Sequence, residues 1–157
     1  MLMWMLAAVV LGGVVMVGQS SVLMGSAPAG PERVMAEPNQ VAVIDGDTLR
    51  LGGRVVRLAG IEAPGRGDAC PGGTGGGTDC GSAATTVLAG LVRDRRLDCR
   101  LSGRDAMGRS FAACDANGQD LSSAVVSSGW ARVQGDSAVL AGLEAQARRQ
   151  GAGLWRR

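Results

Sequence analysis

Two neighbouring stretches constrain this chain more than any other part of it. Val41-Ala42-Val43-Ile44-Asp45-Gly46-Asp47-Thr48-Leu49-Arg50-Leu51 is followed, after Gly52-Gly53-Arg54, by Val55-Val56-Arg57-Leu58-Ala59-Gly60-Ile61-Glu62-Ala63-Pro64. Apolar and β-branched residues dominate both, which predicts two strands with Leu51-Gly52-Gly53-Arg54 as the tight turn between them. Such a pair carries two carboxylates and an arginine towards one spot. Clustered carboxylates suit a hard, oxygen-loving cation such as Ca²⁺. A planar guanidinium beside that cation suits a phosphate, which it grips through two parallel hydrogen bonds. Metal, arginine and phosphate together make up the chemistry of phosphodiester cleavage.

Asp45-Gly46-Asp47-Thr48, Val56-Arg57-Leu58 and Gly60-Ile61-Glu62-Ala63-Pro64 also resemble, in that order, the thermonuclease (staphylococcal nuclease-like) domain. The resemblance continues through Asp105-Ala106-Met107-Gly108-Arg109, then Asp120-Leu121 to Gly129-Trp130-Ala131. It closes with Glu144-Ala145-Gln146-Ala147-Arg148 and Gly153-Leu154-Trp155, so that it covers residues 40–157. It implies an α+β domain, an OB-fold five-stranded β-barrel with three α-helices. It further implies that Asp47 and Glu62 hold Ca²⁺ with the backbone carbonyl of Ala63, and that Arg57 and Arg109 clamp the scissile phosphate of DNA or RNA. Asp45 would cap the turn or stand just outside the metal's ligands. Glu62 occupies a place where the family usually has aspartate.

One departure bears on catalysis. The family's acid-x-Pro-Glu pattern is here Glu62-Ala63-Pro64-Gly65, so the expected general-base glutamate is replaced by Gly65. Losing a general base typically costs about 10²–10⁴-fold in rate. Asp68, three residues on in Gly65-Arg66-Gly67-Asp68, is the candidate substitute. The family's lysine and tyrosine beside the second arginine are replaced by Ala106 and Met107, which removes a stacking partner for a base. Two functions are compatible with this pattern. One is a Ca²⁺-dependent nuclease with weakened or rerouted water activation. The other is a non-catalytic module binding phosphate, nucleic acid or a protein partner through the same arginines.

Composition narrows the chemistry further. A formal charge of +2 supplies no global field for nucleic acid, so affinity for phosphate must be local. Histidine is absent, which removes Ser-His-Asp catalysis and histidine metal ligands. With no tyrosine and a single phenylalanine, stacking platforms for single strands are scarce. Residues 1–29 open with an uncharged apolar run and read as a signal peptide ending near Ala27-Pro28-Ala29, or as an uncleaved anchor. Either implies export, to the periplasm, the medium or the membrane surface, with membrane contact only through that segment. Residues 30–39, rich in proline and small polar residues, read as a linker to a monomeric domain at 40–157.

Four cysteines allow three pairings. If residues 104–109 form a hairpin bend, Leu97–Arg100 and Ala112–Cys114 run antiparallel and Cys99 faces Cys114. Cys70 and Cys80 then bracket the glycine-rich residues 71–79. Zinc is disfavoured by the lack of Cys-x-x-Cys spacing and of histidine. Helical spacing of apolar residues predicts helices over 80–92, 121–128 and 137–149, with Asp120 as an N-cap and Leu140, Leu143, Ala147 and Leu154 on the last buried face.

Overall fold

The computed structural model describes residues 30–70 and 79–156. The apolar segment 1–29, read as a leader or anchor, lies outside the described residues. Among those described, no helix is long and apolar enough to cross a membrane.

In chain order the strands and helices are β1 (Arg33–Ala36), β2 (Val41–Asp45), β3 (Thr48–Leu51), β4 (Arg54–Leu58), β5 (Ile61–Glu62), α1 (Cys80–Val92), β6 (Leu97–Arg104), β7 (Ser110–Ala116), β8 (Gln119–Asp120), α2 (Leu121–Ser127), β9 (Arg132–Val133) and α3 (Ala138–Arg149). The main sheet runs β1-β6-β7-β4-β3-β2, with β8 added to β7 and β5 pairing β9 separately. Its two ends, β1 and β2, are halves of one bent strand joined by a 3₁₀ turn at Pro38–Gln40. The sheet therefore curls round until the chain itself crosses the seam. Counting the bent strand once, this is the five-stranded OB-fold barrel with three helices, an α+β domain.

Two expectations about the strands are corrected. The run 41–51, read as one strand, is a hairpin: β2 and β3 are antiparallel, and Asp45 pairs Thr48 across a two-residue turn at Gly46-Asp47. Gly46 is required there by space. A Cβ on it would lie 2.5 Å from Ala84 Cβ and 2.9 Å from Ala63 Cβ. Residues 33–36, read as linker, are β1, paired to β6 from Arg33↔Arg100 to Ala36↔Leu97. Pro31 and Pro38 flank this strand, where a missing N–H breaks no ladder bond. Inward-facing Ala36 is buried.

The remaining elements follow their patterns. β7 alternates buried and half-buried residues along its whole length, the period of a strand with one face on the core. Leu49, Val56, Leu58, Leu97, Leu121, Val125 and Val126 fill the interior with Leu88 of α1. Helix α1 contributes Cys80, Ala84, Leu88 and Val92, one apolar stripe at i, i+4 spacing. Asp79, Asp120 and Ser137 cap the three helices, each side chain accepting from a backbone N–H three residues on. Both expected disulfides form, Cys99–Cys114 and Cys70–Cys80. Cys99 and Cys114 lie opposite each other in the β6–β7 register, and a bond closing 15 residues stabilises by about 3 kcal/mol in the chain-entropy account. Two disulfides are characteristic of chains that fold in an oxidising compartment.

Candidate active site

One cleft of about 240 Å³ is lined by Asp45, Asp47, Thr48, Arg57, Glu62, Ala63, Gly65, Asp68 and Arg109. Every residue singled out from the sequence for phosphate or metal therefore reaches the same place. Three pairings bring them there. Thr48 lies opposite Arg57 in the β3–β4 register, which sets Asp47 beside the arginine. Parallel pairing of β4 with β7 puts Val56 opposite Ser110, so that Arg109, next in the chain, ends near Arg57. The β5–β9 pair fixes Glu62 opposite Arg132 at the cleft's rim.

Asp47 is the buried centre, with 4% of its surface exposed. Its Oδ1 accepts from the Thr48 hydroxyl at 2.7 Å. Its Oδ2 accepts from Arg57 Nε at 3.1 Å, Arg57 Nη2 at 3.0 Å and the Ala63 backbone N–H at 3.1 Å. Glu62 is more open; its Oε1 lies 3.5 Å from Arg57 Nη2, and its Oε2 accepts from Gln134 Nε2 at 2.7 Å. Arg57 thus bridges the two carboxylates. Burial works against its charge, but the attraction and hydrogen bonds of Asp47, then of Glu62, outweigh it and raise its pKa above the ordinary guanidinium value.

Arg109 is aimed from the β6–β7 turn by Asp105. Its Nε donates to Asp105 Oδ2 at 2.6 Å, while Asp105 Oδ1 accepts the N–H groups of Met107 and Arg109 at 2.9 Å. Burial opposes the Asp105 charge; the bonds from Arg109 and Met107 prevail and hold its carboxyl below the usual value. Among the described residues no partner takes the Nη groups of Arg109, and guanidinium nitrogens of this kind suit a phosphate. Asp45 stands 4.0 Å from Arg66 Nε, at the cleft's edge.

Gly65 and Asp68 form a local unit. The Asp68 carboxylate accepts the Gly65 N–H at 2.8 Å through Oδ2, and the Asp68 N–H donates back to the Gly65 carbonyl at 3.0 Å. A Cβ built on Gly65 would lie 3.5 Å from Asp68 Oδ2. The carboxylate missing from position 65 is thus matched by one that folds back beside it.

Asp105, Gln134 and Thr48 hold cleft residues in place and were given no role in the sequence reading. Asp105 could have been found from its i, i+4 relation to Arg109 within a tight Gly108 turn. Gln134 carries no such local signal, because the barrel alone brings it to Glu62. A cavity of about 520 Å³ adjoins the cleft between Arg57, Glu62, Phe111 and Gln134. A separate groove of about 830 Å³ along β2 and α1 shares no lining residue with the cleft; Arg66, which faces Asp45, lines it.

Among the described residues no three acidic groups surround a single point as ready-made metal ligands. The donor set is nevertheless one of hard oxygens, and the Arg57 guanidinium already places a positive charge between Asp47 and Glu62. A divalent cation would suit these oxygens once Arg57 is displaced from between them.

Comparison with known proteins gives the chain its relatives. The sequence model of the staphylococcal nuclease homologues matches residues 55–157. The succinoglycan biosynthesis protein ExoI of Rhizobium meliloti (strain 1021) is 35% identical over 127 residues, covering 77% of this chain and 66% of its own length. This chain therefore spans slightly less than two thirds of that relative. Over residues 55–157 the chain belongs to the staphylococcal nuclease homologue family.

Proposed function

We propose that the chain is an exported, monomeric, Ca²⁺-dependent phosphodiesterase acting on DNA or RNA, with Asp68 serving where the family's general base is absent. The observation that carries this reading is the convergence of Arg57, Arg109, Asp47, Glu62 and Asp68 on one cleft. Arg109, oriented by Asp105, and Arg57, oriented by Asp47, would grip the non-bridging phosphate oxygens and stabilise the charge that builds on them. Asp68 would accept the proton of the attacking water. Asp47, Glu62 and the Ala63 carbonyl would hold Ca²⁺, which when bound polarises the phosphate. Base-edge readout has no obvious donor set here, so sequence preference would be weak. The uncharged apolar composition of residues 1–18 and the two disulfides support export. Succinoglycan biosynthesis is the role named for the relative; the cleft here favours phosphodiester chemistry.

A second reading, a non-catalytic phosphate-binding module, is favoured by the bridging position of Arg57 and the missing side chain at Gly65. One experiment separates the two. The full chain is incubated with single-stranded DNA in Ca²⁺ and in chelator, beside Arg109→Ala. Metal-dependent cleavage lost in Arg109→Ala supports the hydrolase. Oligonucleotide binding without cleavage, weakened in Arg109→Ala, supports the module. If neither occurs in a folded protein, the cleft is not a phosphate site.

A further inference from the structure

Asp68 is exposed and sits in a glycine-rich segment, yet its backbone and side chain are tied down at several points. Its carbonyl accepts the Cys80 N–H at 2.9 Å, at the first residue of α1. The Gly67 N–H donates to both oxygens of Asp79 at 3.1 Å, and Ala69 forms an antiparallel bridge with Asp79. Asp79 is itself held by the Ser82 N–H at 2.8 Å and the Ser82 hydroxyl at 2.5 Å. Gly81 completes the seat, since any Cβ there would overlap the Gly65 carbonyl. Two residues beyond Asp68, the Cys70–Cys80 disulfide joins this segment covalently to the helix.

From this web we infer that the Cys70–Cys80 disulfide, with Asp79, is a positioning device for Asp68, and that hydrolysis depends on the oxidised state of this bond. The inference rests on the hydrolase reading above and adds its regulation. Hydrogen bonds at an exposed surface compete with water and hold weakly. The covalent bond keeps residues 65–70 near α1 when those hydrogen bonds open. The two disulfides also differ in access. Cys99, Cys114 and Cys80 are buried, whereas Cys70 is half-buried. A dithiol therefore reaches Cys70 first. Its thiolate attacks Cys70 Sγ, the S–S bond breaks, and Cys80 leaves as a thiolate that takes a proton. The reagent's second thiol then displaces Cys70 as a thiol, closing its own disulfide and completing a two-electron reduction. The barrel, stapled by Cys99–Cys114, stays folded.

The test uses the full chain with Cys70→Ser and Cys80→Ser combined, and separately the wild type treated with dithiothreitol until thiol labelling shows only Cys70 and Cys80 free. Expected is a fall of tenfold or more in kcat on single-stranded DNA, with KM changed less than threefold. Adding Asp68→Asn to the serine pair should bring kcat no lower than Asp68→Asn alone, a non-additivity that general destabilisation does not produce. Amide hydrogen exchange gives a readout independent of activity. Protection at Gly65 and Cys80 should drop at least tenfold while Val56 and Leu58 stay protected. A reduced or serine-substituted protein that keeps both its kcat and those two protected amides overturns the inference. Oxidised wild type without any hydrolysis overturns the hydrolase reading instead, and the exchange data still decide whether the disulfide positions Asp68.

Discussion

Replacing Asp68 by asparagine isolates the proposed proton acceptor from everything else in the cleft. Asparagine keeps an oxygen where Asp68 Oδ2 accepts the Gly65 N–H at 2.8 Å. The backbone bonds from Asp68 to Gly65 and from Cys80 to Asp68 are untouched by the change. Asp68 is exposed, so stability should move by no more than about 0.5 kcal/mol. Basicity alone is lost. A general base contributes about 10²–10⁴-fold, so kcat should fall at least about 100-fold, roughly 2.7 kcal/mol of transition-state stabilisation. KM should hardly change, because Arg57 and Arg109 still grip the phosphate. The assay is steady-state hydrolysis of single-stranded DNA in saturating Ca²⁺, with urea unfolding as the stability control. Gly65→Glu in the same background should restore much of the rate. Its Cβ would make only ordinary contact, 3.5 Å from the side chain at 68. An Asp68→Asn protein that keeps its kcat within threefold of wild type would refute the reasoning, since nothing else about the site has been altered.

Arg57→Ala should abolish hydrolysis and also lower stability by about 2–3 kcal/mol in urea unfolding, because it leaves the buried Asp47 carboxylate without its cation; Arg57→Lys should recover part of the stability but not the paired grip on phosphate. Gly46→Ala should cost about 1–3 kcal/mol by calorimetry, since α1 must retreat from the Asp45–Thr48 turn to admit the methyl group. Asp79 is held below the ordinary carboxyl value of 3.8 by the Ser82 hydroxyl and N–H. The unfolded chain therefore takes up this proton first on acidification. The contribution of Asp79 is complete above that value and disappears as pH falls through the lower, folded pKa. Melting temperature followed from pH 6 downwards should accordingly fall less steeply below pH 3.8 in Asp79→Asn than in wild type.

Local chemistry was legible in the residues themselves. Helical spacing placed α1 at Cys80–Val92, and Asp120 marked the start of α2 because a short polar side chain satisfies a free N–H wherever it precedes an apolar run. The Cys99–Cys114 pairing followed from a hairpin register, itself a consequence of the two-residue side-chain period. The hairpin within 41–51 was not read as such, since Gly46 has no left-handed φ to announce it and is needed because Ala84 of α1 and Ala63 pack against it. Residues 33–36 looked like linker because Pro31 and Pro38 flank them; only the open edge of β6 turns them into a strand.

Sequence alone determined the set of groups available to the cleft: four carboxylates in the first half (Asp45, Asp47, Glu62 and Asp68), two arginines, no histidine, and a glycine where a base was expected. It could not say which of those groups meet. Parallel pairing of β4 with β7 brings Arg109 to Arg57, the β5–β9 pair carries Gln134 to Glu62, and the seat on α1 turns Asp68 back towards Gly65. Each of these contacts, except the last, joins residues far apart in the chain. They depend on barrel closure, a cooperative outcome of burying the whole core, and so belong to the tertiary structure.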